Sequence, residues 1–103
     1  MIAATPPPAR VQVVAQEFRL APSRHRIYAG RAIIELANFG EDAHDLRLQR
    51  VGGTKIWGWP LVQSGGVADR EVTLAPGTYA LWCAVGDHRA LGMTATLVVV
   101  RRR

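Results

Sequence analysis

From Tyr79 to Met93 the chain reads YALWCAVGDHRALGM. Tyr79, Leu81 and Cys83 alternate with Ala80 and Trp82, the period-two pattern of a strand that turns one face toward a core. That strand delivers Cys83 at its end. A glycine-bearing loop follows, and Met93, Ala95, Leu97 and Val99 then share the face of a second strand. The connection has the spacing Cys83-x4-His88-x4-Met93, and it holds the only cysteine, one of three histidines and one of two methionines in the chain. Gly86 and Gly92 let it bend back on itself.

A lone cysteine makes no internal disulfide, so Cys83 is a buried small hydrophobe, a nucleophile or a ligand. A nucleophile wants an imidazole base, but no such chemistry asks for a methionine beyond it. One more histidine completes the set. His44 follows the run Asn38-Phe39-Gly40-Glu41-Asp42-Ala43 and precedes Leu46 and Leu48 at period two, so it points to the same side as those leucines, at one end of a sheet. Two imidazoles, a thiolate and a thioether suit copper in both oxidation states, because soft sulfur favours Cu(I) and imidazole also satisfies Cu(II). His25, between Arg24 and Arg26, reads as a solvated strand residue.

Outward from these residues the chain reads as strands and turns. Val11 to Leu20 is one alternating run, broken by Pro22-Ser23. Arg26-Ile27-Tyr28 is a second short strand, and Arg31 to Phe39 a third with Ile34 and Leu36 on one face. His44 opens a fourth. Residues 51–67 are the least regular part, rich in glycine and interrupted by Pro60, with Trp57 and Trp59 expected to place one ring inward and one outward. Asp69 to Leu74 is a further strand, joined to the next by Ala75-Pro76-Gly77-Thr78, where Pro followed by Gly predicts a type II turn. No stretch has a helical period. The expected fold is therefore an all-β antiparallel sandwich of about seven to eight strands.

At 103 residues the chain is one domain. Its 49% hydrophobic and 20% charged residues exclude a wholly disordered chain. The domain is expected over 11–100. Residues 1–10, MIAATPPPAR, read as a proline-rich linker or frayed terminus, consistent with the trimmed remnant of a leader or lipid anchor. Neither a signal peptide nor a transmembrane segment is written in the sequence, where apolar runs such as Leu97-Val98-Val99-Val100 are far too short to span a bilayer. The formal charge of +5 suggests nucleic acid only superficially. Three basic residues are the terminal Arg101, Arg102 and Arg103, a solvated tail, and the others are scattered without interleaved aromatics, so no nucleic-acid partner is expected.

Taken together, Asn38-Phe39-Gly40, His44-Asp45, Leu74-Ala75-Pro76-Gly77-Thr78-Tyr79 and the Cys83 to Met93 loop resemble the cupredoxin family of small type 1 (blue) copper proteins, which includes plastocyanin, azurin and rusticyanin. The resemblance covers nearly the whole domain, and its loop spacing is nearer the rusticyanin or auracyanin kind than plastocyanin's shorter one. It implies a Greek-key β-sandwich holding one copper per chain, with His44 and His88 binding through Nδ1, Cys83 as thiolate and Met93 as the weak axial ligand. Asn38 and Asp45 would lie just behind the ligands, with a backbone N–H near Asp45 directed at the Cys83 sulfur; many members carry Asn where this chain has Asp45. Electrons would pass through an exposed edge of His88, in a docking surface formed by Ala84, Val85, Ala90, Leu91 and Gly92. Asp87 and Arg89 would add charge to that surface.

The implied function is one-electron transfer, by a monomer in the periplasm or another extracytoplasmic space, with a cytochrome, oxidase or reductase as redox partner. The alternatives are a copper-delivery protein, which would be richer in Met and His, and a cupredoxin-like binding module without a redox role. A copper enzyme needs a second centre that His25 alone does not supply, and a binuclear copper site needs a second cysteine.

Overall fold

A computed structural model describes residues 5–102; the parts of the expected linker and tail at residues 1–4 and at Arg103 lie outside the described residues. Among the described residues, nine strands form two facing sheets: β1 (Ala9–Gln16), β2 (Arg19–Pro22), β3 (Arg26–Tyr28), β4 (Gly30–Asn38), β5 (His44–Arg50), β6 (Ile56–Val62), β7 (Val67–Leu74), β8 (Gly77–Trp82) and β9 (Thr94–Val100). One sheet has the order β2-β1-β4-β7, the other β3-β9-β8-β5-β6. Alternation puts the core between them. Val11, Val13, Ala15, Ile34 and Leu36 from one sheet face Leu46, Leu48, Leu81, Leu97 and Val99 from the other, all buried.

The expected sandwich is present, with several departures in detail. Its sheets are mixed, because β1 pairs parallel with β4 and β3 parallel with β9. The cause is sheet switching. Between β1 and β4 the chain visits the opposite sheet as β3, and a strand returning from such a crossover can run parallel to its neighbour. The run read as one strand over Val11 to Leu20 is two, folded at Glu17-Phe18 so that Gln16 pairs with Arg19. The first strand starts ahead of Val11, since Ala9 and Arg10 already pair with Ala32 and Ile33.

Residues 56–62, expected to be irregular, form β6 despite Gly58 and Pro60. As the outermost strand of its sheet, β6 tolerates a proline that has no N–H to give to a ladder. Trp57 and Trp59 share the inner face, as residues two apart on a strand must. Trp59 is buried at the centre, where its indole N–H donates to the Ile34 carbonyl of the facing sheet at 2.9 Å. Trp57 closes the rim against Tyr79, under Lys55. The link through Ala75 and Pro76 is no hairpin, since β7 and β8 lie in different sheets. Gly77 there has φ +155°, more extended than the central glycine of a type II turn.

Tyr79 pins this crossing. Its hydroxyl donates to the Ala75 carbonyl at 2.7 Å, and burial pushes the phenol's pKa up. Tyr79→Phe removes that bond and leaves the carbonyl without a donor, at an expected cost of about 1 kcal/mol. Thermal unfolding should then fall by about 4–8 °C.

At the end of the chain Arg101 and Arg102 are exposed, and the Arg102 guanidinium lies over the exposed ring of Tyr28 at 4.8 Å. Among the described residues no helix is long and apolar enough to cross a membrane.

Candidate metal centre

Two separate pieces of chain converge at one end of the sandwich. His44 enters from the first position of β5, where a register shift against β6 lets His44 pair with Val62 while Leu46 pairs with Trp59. Cys83 follows the last residue of β8, and His88 lies in the loop between β8 and β9. That loop is tied across its base and within itself. The Cys83 N–H donates to the Met93 carbonyl and the Met93 N–H to the His88 carbonyl, both at 3.1 Å; the His88 N–H reaches the Val85 carbonyl at 3.0 Å. Cys83, His88 and Met93 are thus held by one small, closed unit.

The donor atoms meet. Cys83 Sγ lies 3.9 Å from His44 Nδ1 and 3.7 Å from His88 Nδ1, and the three ligand atoms all fall within 4.8 Å of one another. Metal bonds of about 2.0–2.3 Å at trigonal or tetrahedral angles place neighbouring nitrogen and sulfur donors about 3.5–3.7 Å apart. The spacing of the Cys83 sulfur to both imidazoles therefore fits a small transition metal. His44, Cys83 and Met93 are 0% exposed and His88 8%, so the set is shielded from water. Burial pushes the Cys83 thiol's pKa up, while N–H groups of Val85 and Asp45 pull it the other way.

Asn38 and Asp45 hold the frame. The Asn38 amide donates to the Asp42 and Val62 carbonyls at 2.7 and 2.9 Å, and its Oδ1 accepts the Gly40 N–H at 2.8 Å. It knits the residue 39–43 loop to β6, immediately before His44. Asp45 Oδ1 accepts the Ala84 N–H at 2.7 Å, tying the His44 strand to the residue after Cys83. An asparagine could make the same bond through its own Oδ1. The extra charge of Asp45 is met by Arg47 at 3.3 Å.

Two residues that sequence reasoning passed over complete the surroundings, and both lie in the turn between β1 and β2. Glu17 is hydrogen-bonded to His44 Nε2, and its carboxylate also accepts the Glu41 N–H at 2.6 Å. That backbone bond is the main reason its pKa is lowered, with burial opposing and His44 assisting. Phe18 lays its ring on His88, with centroids 4.9 Å apart. The one faint signal in the sequence was that Glu17 is the first acidic residue of the chain, alone in a turn between apolar strands.

Around His88 the expected surface is only partly as read. Ala84, Ala90, Leu91 and Gly92 are exposed, whereas Val85 is half-buried against the core. His88 itself shows little edge, because Phe18 covers it and Asp42 stands 3.8 Å from its Nε2. Arg89 lies over the ring of Trp82 at 4.4 Å. His25 is exposed on β3's approach and takes no part in the centre.

No protein-family model matches the sequence, and no curated protein matches it. Solved structures do resemble the fold. Dithionite-reduced auracyanin from the photosynthetic bacterium Roseiflexus castenholzii superposes with a TM-score of 0.72 at 17% identity, covering 89% of this chain and 97% of that one. Auracyanin A, a blue copper protein from the green thermophilic photosynthetic bacterium Chloroflexus aurantiacus, gives 0.69 at 18%, covering 90% and 99%. A multicopper oxidase gives 0.68 at 13%, covering 91% of this chain and 45% of that one. At such identities the likeness speaks for the fold: the chain is a cupredoxin-type β-sandwich, carrying a buried His-Cys-His set with Met93 at the same end.

Proposed function

We propose that this chain is a mononuclear type 1 copper protein that carries single electrons between larger redox proteins. One observation carries the reading: His44 Nδ1, His88 Nδ1 and Cys83 Sγ face one another in a water-shielded pocket at ligand spacing, with buried Met93 entering from the same loop. His44, Cys83 and His88 would hold the metal, with the Met93 thioether as a weaker fourth donor. Copper supplies a one-electron Cu(II)/Cu(I) couple at such a set.

The protein's part is to keep the donors still. Two sheets, the cross-tied loop and the Asp45 bond to Ala84 fix the ligands before any metal arrives, so little has to reorganise when the charge at the site changes. Burial disfavours the Cys83 thiolate, and the N–H groups of Val85 and Asp45 offset part of that effect. Asn38 serves by holding the loop before His44. His88 is the one donor residue of the three with any exposure, so the surface of Ala84, Ala90, Leu91 and Gly92, with Val85 beneath and Phe18 beside it, is the docking face we assign to a redox partner. Carrier rather than enzyme is the better reading for this chain, since a second copper centre would need histidines beyond the exposed His25. A monomeric, extracytoplasmic protein working with a cytochrome, oxidase or reductase accords with these features.

The test is spectroscopic. Loaded with Cu(II), the protein should show an intense thiolate-to-copper band that ascorbate bleaches and ferricyanide restores over repeated cycles. A faint colour typical of nitrogen and oxygen ligands, or failure to bind copper, would sink the reading.

A further inference from the structure

We propose that Glu17 is a positioning residue for this centre: its carboxylate accepts the Nε2–H of His44, holds the imidazole in the tautomer whose Nδ1 lone pair faces Cys83, and biases the site toward the more positive metal state. The inference rests on the copper reading above and goes beyond it by assigning the site a determinant that lies outside the ligand loops.

His44 is wholly buried, so its outward nitrogen depends on the protein for a partner. Glu17 is that partner. A neutral imidazole carries one proton, and an acceptor fixed at Nε2 leaves Nδ1 as the lone pair available to a metal. Glu17 is itself fixed, by the Glu41 N–H at 2.6 Å and by the approach of Asp42's N–H at 3.4 Å. It arrives from the turn between β1 and β2, in the opposite sheet to His44, so the contact also staples the two sheets above the site. Gly40 makes room for it: a Cβ there would collide with the Glu17 carboxylate. A negative charge against a ligand favours Cu(II) over Cu(I), and outer partners of metal-bound histidines commonly govern affinity.

The experiment compares wild type with Glu17→Ala, Glu17→Gln and Gly40→Ala. Imidazole nitrogen NMR of the apo proteins reads the tautomer. Cu(II) titration reads affinity, and voltammetry reads the potential. The wild type should hold His44 as the Nε2–H tautomer. Glu17→Ala should mix tautomers, lose about 10–100-fold in Cu(II) affinity and raise the reduction potential. Glu17→Gln can still accept the proton through its amide oxygen, so it should keep the tautomer but share the raised potential. Gly40→Ala, which leaves Glu17 in the sequence and displaces its carboxylate, should follow Glu17→Ala.

If Glu17→Ala and Gly40→Ala fold, and keep the wild-type tautomer, affinity within about twofold and the same potential, Glu17 has no such role. Should Glu17→Ala not fold, Glu17→Gln and Gly40→Ala decide by the same readouts. A wild type without the thiolate-to-copper band overturns the copper reading instead, which separates the two failures.

Discussion

Replacing Cys83 by serine should abolish the intense visible absorption of the copper-loaded protein while leaving the sandwich folded. The band requires a thiolate that donates charge into the metal, and a serine hydroxyl neither ionises at neutral pH nor offers a soft, polarizable donor. Serine is close to cysteine in size, and its hydroxyl would sit between His44 Nδ1 and His88 Nδ1, which can partner it. The apo variant should therefore unfold within about 1.5 kcal/mol of wild type. Absorption and electron paramagnetic resonance of copper-loaded Cys83→Ser would be compared with wild type. A variant that kept the band would mean that the absorption arises elsewhere, and that the buried cluster is not the copper centre.

The second large effect belongs to the scaffold. Trp59→Ala should cost about 3–5 kcal/mol, the range for truncating a buried large aromatic. Trp59 is 2% exposed and spans the core to donate to the Ile34 carbonyl, so the variant loses packing and that hydrogen bond at once. A domain with about 5–15 kcal/mol in total would be left marginal. Trp59→Phe separates the two contributions: it keeps most of the apolar contact but not the N–H, and should cost about 1–3 kcal/mol. Denaturant unfolding of the apo proteins measures both. If Trp59→Ala unfolded at nearly the wild-type midpoint, Trp59 would not be the pillar between the sheets that its position suggests.

Both predictions concern residues whose weight is unevenly visible in a sequence. Cys83 stands out because chemistry singles it out: a lone thiol, with His88 and Met93 at regular spacing, has few purposes. Trp59 did not stand out from Trp57. The two share a strand face, and only the facing sheet distinguishes the ring under Ile34 from the ring at the rim. Pro60 and Gly58 made β6 look irregular for a related reason. Proline is costly inside a sheet and harmless at its edge, and whether a strand is an edge is a property of the assembled sheet.

The sequence alone determined whatever short range and donor chemistry encode. Alternation along each strand told which side chains face the core, and the Cys83-x4-His88-x4-Met93 spacing placed three candidate ligands in one loop. His44, with Leu46 and Leu48, could be assigned an inward face before any partner strand was known. The tertiary structure decided what depends on pairing and on contacts between distant segments: the parallel ladders of β1 with β4 and β3 with β9, the bond from Asp45 to Ala84, and the β1–β2 turn that sets Glu17 on His44 and Phe18 on His88. Those contacts leave no local periodicity, because a two-residue turn such as Glu17-Phe18 reads the same whether it lies in water or over a metal site. Its meaning comes from the sheet that carries it across the sandwich.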